Sequence, residues 1–305
     1  MTFVTMIRLW PLLIGLALIG LAVGVQGSLL GIRAEIEGFE DYLIGLLMSC
    51  YFAGFLAGSL LTPKMIHRVG HIRIFAALSA VASVTILIHS IYVNPWGWAF
   101  MRLLTGFAFS TIYVVAESWL NQASSNETRG QILAIYTAIL LSGICAGQFM
   151  LNIADPAGHT LFILISVMVS VAAVPILLSV IAAPPLEETE RVSIGHLWRR
   201  TPMGVTGIVL SQWVSSIMFG MGAVYAAKLG FTISEVANFM GAMMAGGMIF
   251  PWPLGKLSDQ VDRRWVMGFS CLAAVVVAIF ISFESQASAT LYFLIFLFGG
   301  FSLSL

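Results

Sequence analysis

The stretch Gly255–Arg264, GKLSDQVDRR, holds five of the 28 formal charges of the chain, which has 14 basic and 14 acidic residues. It lies between two long apolar runs, so it predicts a loop that joins two antiparallel helices. We expect Gly255 to let these helices approach closely. We also expect Asp259 to form a compact ion-pair cluster with Arg263 and Arg264 at the membrane surface.

A weaker copy of this stretch lies earlier, at Pro63–Arg73, PKMIHRVGHIR, again between two apolar runs. Gly54 corresponds to Gly246 and Pro63 to Gly255, and both pairs are 192 residues apart (246 − 54 and 255 − 63). A constant offset over this distance is typical of an internal repeat. The sequence therefore predicts two similar halves, each with a charged turn at the same place.

Together, the two stretches resemble the signature of the major facilitator superfamily, which reads roughly G-x-L-[AS]-D-R-x-G-R-[RK]. In that family the pattern joins the second and third helices and often recurs between the eighth and ninth. The resemblance covers the whole chain and implies an all-α integral membrane fold of two pseudo-symmetric six-helix bundles. The matching residues are Gly255, Leu257, Ser258, Asp259, Arg263 and Arg264 in the second copy, and Arg68 and Gly70 in the first.

The chain departs from the family pattern at four positions. In the first copy, His67 stands where the acid should be and His71 where an arginine should be. In the second copy, Gln260 and Asp262 depart from the pattern. The second copy is therefore the better preserved of the two.

The composition independently indicates a membrane protein. Apolar residues make up 59% of the chain and charged residues only 9%, against about 25% charged residues in a soluble domain. The mean hydropathy is +0.98. The three cysteines all lie inside apolar runs, which argues against a disulfide framework or a cysteine metal site.

Ten apolar runs follow one another along the chain. Nine of them have a length close to the roughly 20 residues that a helix needs to cross a bilayer. The tenth is shorter, because it reaches the last residue of the sequence. Gly143 and Gly147 give one run a small-x-x-x-small face suited to close helix packing. The runs are 9–32, 42–61, 74–93, 98–120, 132–153, 161–182, 205–227, 236–254, 265–283 and 289–305.

The runs predict about 9.5 of the 12 membrane helices that the resemblance implies. We expect residues 1–183 to form an N-terminal six-helix bundle and residues 184–203 a cytoplasmic linker. Residues 204–305 are expected to form an incomplete C-terminal bundle, with its fourth helix cut. We therefore interpret the sequence as C-terminally truncated, and we expect these 305 residues alone not to transport.

Lysine and arginine obey the positive-inside rule when the N-terminus is placed in the cytoplasm, with eleven in inner segments and two in outer ones. This distribution predicts a multi-pass protein in the lipid bilayer with a cytoplasmic N-terminus, and the resemblance implies a bacterial-type inner (plasma) membrane. The net charge of zero argues against a nucleic-acid partner. We expect a monomer.

Sequence patterns of enzymes are missing. The five histidines are scattered, and the chain has no HExxH, no GxSxG and no phosphate-binding GxxxxGK[ST]. We therefore expect no enzymatic activity, no metal and no cofactor. The missing phosphate loop also argues against transport driven by ATP within this chain, which leaves a gradient-driven carrier.

The fourth apolar run and the turn after it narrow the resemblance. Arg102 and Gly106 fit the R-x-x-x-G pattern that the superfamily's fourth helix often shows. Together with further matches, they resemble the bacterial YcaD-type branch. These matches are Val114, Val115, Glu117 and Ser118, then Thr128, Arg129 and Gly130, then Gly147 and Gln148, and the stretch from Trp252 to Asp259.

Arg102 is costly within a membrane, by about 2.5–3.5 kcal/mol at a helix centre on insertion scales. One interpretation is that it extends to the outer surface, since it lies only a turn into its run. The other, which the resemblance implies, is a cation that lines the central cavity and meets substrate or takes part in proton coupling. The resemblance places Tyr113, Gln26 and Gln212 on cavity-lining helices, and these are our further candidates for the substrate site.

Glu117 has three open interpretations. In the superfamily an acid at this end of the fourth helix can pair with the signature-loop arginine and help hold the outward-open state. Here His71 occupies the arginine position, so Arg73 or Arg129 is the expected partner of such a latch. The alternatives are a proton-coupling acid and a surface-facing acid.

Two classes of function remain. The first is a secondary active transporter that carries a small molecule by alternating access, with a proton as the candidate coupling ion. The second is a membrane sensor or receptor that has the transporter fold and does not transport. Substrate, direction and coupling ion stay open, and both efflux of an amphiphile and uptake of a nutrient are compatible with the sequence.

Overall fold

The structure is a computed structural model that describes residues 3–178 and 194–303. Every regular element in these ranges is helical. A single 3-10 turn, Met150–Ile153, extends the fifth helix. The helices are α1 (Phe3–Ile36), α2 (Asp41–Val69), α3 (His71–Ile91), α4 (Pro95–Gln122), α5 (Arg129–Phe149), α6 (Thr160–Leu178), α7 (Ile194–Arg200), α8 (Pro202–Lys228), α9 (Ile233–Ile249), α10 (Pro251–Gln260), α11 (Arg263–Phe283) and α12 (Ala289–Leu303).

Nine spans in the described ranges are long and apolar enough to cross a membrane. They correspond to α1 through α6, to α8, to α9 continued by α10, and to α11. The helix α12 is apolar but shorter. The number of full-length spans that hydropathy predicted is thus confirmed, as is the all-α membrane fold.

The chain divides into two compact units, Met1–Glu187 and Glu188–Leu305. The division falls within the predicted linker, 184–203. Residues 184–193 of that linker lie outside the described ranges, and the part that is described contains the short helix α7. The boundaries of the two bundles stay predictions.

Inside the two units, the helices repeat with the offset read from the sequence. The helix α2 begins at Asp41 and α9 at Ile233, 192 residues later. The helix α3 spans His71–Ile91 and α11 spans Arg263–Phe283, again 192 residues apart at both ends. Equivalent stretches of sequence therefore fold into equivalent helices.

The main helix pair of the first unit is α2 with α4, and glycine brings the two backbones together. A Cβ atom at Gly54 would overlap the carbonyl oxygen of Leu103, and one at Gly106 would overlap that of Tyr51. Only glycine leaves room for such an approach, which is how membrane helices gain close packing without a hydrophobic driving force.

The second unit contains the same arrangement between α9 and α12. A Cβ atom at Gly246 would overlap the carbonyl oxygen of Phe296, and one at Gly299 would overlap that of Met243. The four contacting positions match those of the first unit with offsets of 192 in α9 and 193 in α12. The repeat thus includes individual contacts between helices.

The pair α1 and α5 confirms the packing face predicted from Gly143 and Gly147. A Cβ atom at Gly147 would overlap the carbonyl oxygen of Leu21 on α1. The next residue, Gln148, is fully buried and donates from Nε2 to the Gly24 carbonyl oxygen at 2.9 Å. It also accepts a 2.6 Å hydrogen bond from Ser28 Oγ. A buried amide therefore ties the two helices together.

The signature stretch differs from the prediction in its backbone. The predicted loop is wrong over 255–260, because α10 continues through Gln260 and only Val261 and Asp262 separate it from α11. The cause is that a run of charged residues marks where a helix leaves the bilayer, not where the helix ends. Gly255 has open space around its Cα, so the predicted close approach at this residue is wrong.

The predicted ion-pair cluster is also wrong. Asp259, Arg263 and Arg264 are exposed, and no ion pair joins them in the part of the chain that the structure describes. The acid next to them, Asp262, instead caps α11 by accepting a 2.9 Å hydrogen bond from the Arg264 backbone N–H. Exposed charges gain little from pairing in water, whereas a cap satisfies a free backbone donor.

In the first copy of the signature, one glycine forms the turn between the two helices. The helix α2 continues through Val69, and Gly70 alone separates it from α3. Gly70 has a φ of 89°, which a side chain would strain, and its N–H donates to the Ile66 carbonyl oxygen at 2.9 Å. The match of Gly70 to the family pattern therefore has a backbone reason.

Candidate functional site

The buried polar residues of the first unit concentrate on α4 and on the helices that contact it. The start of α4 is fixed by Asn94, whose side chain accepts a 3.0 Å hydrogen bond from the Gly97 N–H, and by Pro95 at the first helical position. From this fixed start, α4 directs buried polar side chains to both neighbours, α2 and α3. The buried polar residues of α4 are Arg102, Thr105, Ser110 and Thr111, and those of α3 include Thr85 and His89.

Arg102 lies inside the first unit and is only 3% exposed. Its guanidinium carbon is 4.4 Å from the centre of the Tyr51 ring, and Nη2 is 3.4 Å from Met48 Sδ, both on α2. Its Nε–H has no hydrogen-bond acceptor among the described residues. The surface-seeking interpretation of Arg102 is therefore wrong, because an aromatic ring and a thioether hold the cation within the helix bundle.

The contact between α3 and α4 supplies the other side of the Arg102 environment. Thr105 Oγ1 donates to Thr85 Oγ1 at 3.0 Å across the two helices. One turn further along α3, His89 is fully buried, and its ring meets the Trp98 ring edge-on with centres 5.4 Å apart. Sequence reasoning did not predict this contact. The one available signal was that His89 is a single histidine inside an apolar run.

The other predicted substrate residues have separate surroundings. Tyr113, on α4, has a buried hydroxyl without a partner in the described ranges, and its ring lies 6.1 Å from that of Phe55. Gln26, on α1, is buried, and its Nε2 likewise has no partner there. Gln212 is exposed on α8, in the second unit. The structure thus places three of the four candidates in the first unit.

Glu117 has a different partner from those expected. It is exposed near the end of α4 and accepts a 3.1 Å hydrogen bond from the Tyr136 hydroxyl of α5. Neither Arg73 nor Arg129 pairs with it in the described part of the chain, and both side chains are exposed. The expected arginine partner is therefore wrong, since Tyr136 reaches the carboxylate from the neighbouring helix while both cations stay in solvent.

His71, at the position of the family arginine, contacts α4 at the residue next to Glu117. Its ring is 2% exposed, and its Nε2 lies 3.1 Å from Ser118 Oγ, next to Glu117 on α4. Its ring centre is 6.1 Å from that of Trp119. The start of α3 is thus joined to α4 by an uncharged side-chain contact.

The remaining predicted gating residues lie at the surface. Arg68, Asp259, Arg263 and Arg264 have exposed side chains, and Gly255 is exposed as well. Across residues 3–178 and 194–303, no three His, Cys, Asp or Glu side chains come together in a way that could hold a metal ion. The chemistry that this arrangement offers is hydrogen bonding and charge within the bilayer.

Comparison with known families gives one match over nearly the whole chain. The model of the Major Facilitator Superfamily matches residues 12–305. An uncharacterized MFS-type transporter of Enterobacter sp. (strain 638) is 29% identical over 258 residues, which is 84% of this chain and 68% of that protein. The MFS-type transporter YcaD of Escherichia fergusonii is 26% identical over 285 residues, 93% of this chain and 75% of that protein.

Solved structures show the same fold at low identity. A mutant of the nucleoside transporter NupG matches with a TM-score of 0.80 at 13% identity, over 96% of this chain and 79% of that one. A bacterial homolog of the human lysosomal transporter Spinster matches with a TM-score of 0.77 at 14% identity, over 100% of this chain and 74% of that one. The chain belongs to the major facilitator superfamily, and within it to the branch of the YcaD-like transporters.

Proposed function

We propose that this protein is a gradient-driven carrier that moves a small molecule across the membrane by alternating access of its two halves. The observation that carries the proposal is Arg102, a cation buried within a membrane span and held by an aromatic ring and a thioether. Ionisable residues inside the bilayer are expensive, and those that persist mark paths of substrates or ions.

Alternating access requires each half to move as one body. The glycine contacts between α2 and α4 and between α9 and α12 favour movement of each half as one body. At these contacts the two backbones touch directly, so the paired helices have little room to slide along each other. The same contacts occur in both units, as expected for halves that rock against each other in turn.

As cargo we propose a small neutral or anionic molecule. Among the described residues of the first unit, the buried groups without a partner include an amide nitrogen at Gln26 and hydroxyls at Ser110 and Tyr113. These groups suit hydroxyl, carbonyl or carboxylate groups of a ligand, and the guanidinium of Arg102 repels a polycation.

Spin-label distances test alternating access without a known substrate. In the complete protein, with Cys50, Cys145 and Cys271 replaced by serine, one label pair is placed at Tyr42 and Ser234. A second pair is placed at His67, near the other end of α2, and at Asp259, near the other end of the span formed by α9 and α10. Each pair joins positions 192 residues apart, one in each unit.

In lipid nanodiscs across a pH series, we expect the two distance distributions to change in opposite directions. A control pair within the first unit, Tyr42 and Tyr92, should stay constant. Distances of both inter-unit pairs that remain single and unchanged would overturn the proposal. Arg102→Ala is expected to abolish the response while the control distance stays the same.

For Glu117 we propose the latch, with Tyr136 as its partner in place of an arginine. The support is the 3.1 Å hydrogen bond between α5 and α4 at this point. Glu117→Gln in the complete protein should shift the His67–Asp259 distance distribution and leave its pH dependence unchanged. Loss of the pH dependence would instead identify Glu117 as the proton-coupling acid.

A further inference from the structure

Two buried polar atoms on the neighbouring helices α3 and α4 lack a hydrogen-bond partner in the part of the chain that is described. One is Nε of Arg102, a permanent donor, and the other is Nε2 of His89. The residues are 3% and 0% exposed, so neither atom can be satisfied by bulk water. An unpaired polar group inside a bilayer costs several kcal/mol, so both atoms require a partner.

The proton on His89 can be placed from its surroundings. Nδ1 lies 2.7 Å from the carbonyl oxygen of Thr85, one turn back on α3. A carbonyl oxygen only accepts, so Nδ1 carries the proton and donates. In the neutral ring Nε2 is then an acceptor with a free lone pair. The two unpartnered atoms are thus complementary, one donor and one acceptor.

The helix register places His89 and Arg102 at a similar level of the contact between α3 and α4. The Thr85–Thr105 hydrogen bond of 3.0 Å fixes α3 against the antiparallel α4. His89 lies one turn beyond Thr85, and Arg102 lies about one turn before Thr105. Side chains on a helix tilt towards its N-terminus, so on antiparallel helices these two side chains tilt towards each other.

Trp98 bounds the region between His89 and Arg102 on the side of the start of α4. Its ring meets the His89 ring edge-on at 5.4 Å and the Phe39 ring edge-on at 5.3 Å. Its Nε1 donates to the Tyr92 carbonyl oxygen at 2.9 Å, which fixes the orientation of the indole. A ligand between Arg102 and His89 must therefore be small.

We propose that one bound water molecule bridges Arg102 and His89, and that His89 is a positioning residue for Arg102. The water accepts from the Nε–H of Arg102 and donates to Nε2 of His89. An anion would be repelled by the lone pair at Nε2, and a cation would be repelled by the positive charge of the guanidinium. Water satisfies both groups and needs only two polar partners. It thereby holds the guanidinium over the Tyr51 ring.

Nitrogen NMR of the complete protein in lipid bilayers, labelled with ¹⁵N in histidine and arginine, tests the water site. We expect His89 to show a protonated Nδ1 and a bare Nε2 that accepts a hydrogen bond, with magnetisation transfer from water to Nε2. His89→Gln and Arg102→Gln assign the two sets of signals. A ring protonated at Nε2, or an Nε2 signal typical of a free lone pair without transfer from water, would overturn the proposal.

Substitutions test the positioning role. His89→Leu should move the Arg102 Nε signal to that of an unbonded donor. His89→Gln should retain the bonded signal, because its amide can donate to Thr85 and accept from the water. The matched control is His71→Leu, on the same helix, since the buried His71 ring already has Ser118 as its partner. An Arg102 signal that is unchanged by His89→Leu, or changed equally by His71→Leu, would refute the role.

Discussion

The two halves of this transporter share a helix framework and differ in what it encloses. In the first, α2, α3 and α4 surround Arg102, His89 and Trp98. In the second, α9, α11 and α12 surround apolar side chains at the equivalent positions, all of them buried. With offsets of 192 in α9 and α11 and 193 in α12, the equivalent pairs are Tyr51 and Met243, His89 and Ile281, Trp98 and Leu291, and Arg102 and Ile295.

This difference separates the requirements of the fold from those of the site. The glycine contacts are the same in both halves, so they belong to the framework. The second half builds that framework around isoleucine, leucine and methionine, so the polar layer of the first half is not needed for folding. A buried cation that folding does not need, and that costs free energy in a bilayer, is best explained by function.

Exchanging the charge between the halves gives the largest expected effect. Ile295→Arg places a guanidinium in an apolar layer and should destabilise the protein by about 3 kcal/mol, the cost of a central charge on insertion scales. Arg102→Ile should keep or raise stability and abolish the pH response of the spin-label pairs. Thermal unfolding in detergent, followed by circular dichroism, measures both stabilities.

An Ile295→Arg variant as stable as the wild type would show that the second half tolerates a charge equally well. The difference between Arg102 in the first half and Ile295 in the second would then be no evidence for a functional role of Arg102. The mild variant Ile295→Val controls for loss of volume alone, which typically costs about 0.5–1.5 kcal/mol.

Adding one methyl group at the glycine contacts should affect both halves alike. Gly54→Ala and Gly246→Ala each force a Cβ against a carbonyl oxygen of the partner helix, and such overpacking costs about 1–3 kcal/mol. Gly255→Ala is the matched control, because its Cβ would meet open space. The melting temperatures of the three variants test the comparison. Unequal losses at Gly54 and Gly246 would contradict an equivalent framework.

Much of this framework could be predicted from the sequence. The length of an apolar run is a local property, so the nine full-length spans followed from hydropathy. The repeat and the packing face at Gly143 and Gly147 followed from spacing. The ends of the helices at the signature stretch could not be predicted in this way, because leaving the bilayer and ending a helix are separate events and hydropathy reports only the first.

The site was less accessible to sequence reasoning. Arg102 could be recognised because a charge inside an apolar run is conspicuous. Its surroundings could not, because Tyr51 and His89 are distant in sequence and meet it only through the packing of α2 and α3 on α4. The same holds for Tyr136, which reaches Glu117 from α5. Partners of buried groups depend on helix register, which a single sequence does not specify.

The starts of α2 and α9 differ in their caps, and this predicts a smaller effect. Thr232 forms a capping box with Glu235, whereas the equivalent Glu40 has no side-chain cap. Thr232→Ala should therefore cost about 1 kcal/mol, and Glu40→Ala should cost nearly nothing. Thermal unfolding of the two variants measures the difference. Equal losses would show that α2 relies on its first residue as much as α9 does.

The smallest expected effect on stability comes from replacing His71 of the first half by the arginine found at the equivalent position of the second half. His71 begins α3, and Arg263 occupies the equivalent position at the start of α11. His71→Arg removes the 3.1 Å contact with Ser118 Oγ, which contributes about 1 kcal/mol. The longer side chain can carry its guanidinium past Ser118 to the exposed Glu117, where an ion pair contributes about 0.2–1 kcal/mol.

Because these two contributions nearly cancel, we expect the stability of His71→Arg to stay within about 0.5 kcal/mol of the wild type at low salt. The two proteins should differ in their response to salt. The new ion pair lies at the surface and is screened, so the variant loses stability between low and high ionic strength while the wild type does not. Glu117→Gln in the same background removes the carboxylate and should abolish this dependence. A variant that is insensitive to salt, or one whose sensitivity persists without Glu117, would show that an arginine at position 71 does not reach this acid. The first half would then lack the geometry of the charged latch as well as its arginine.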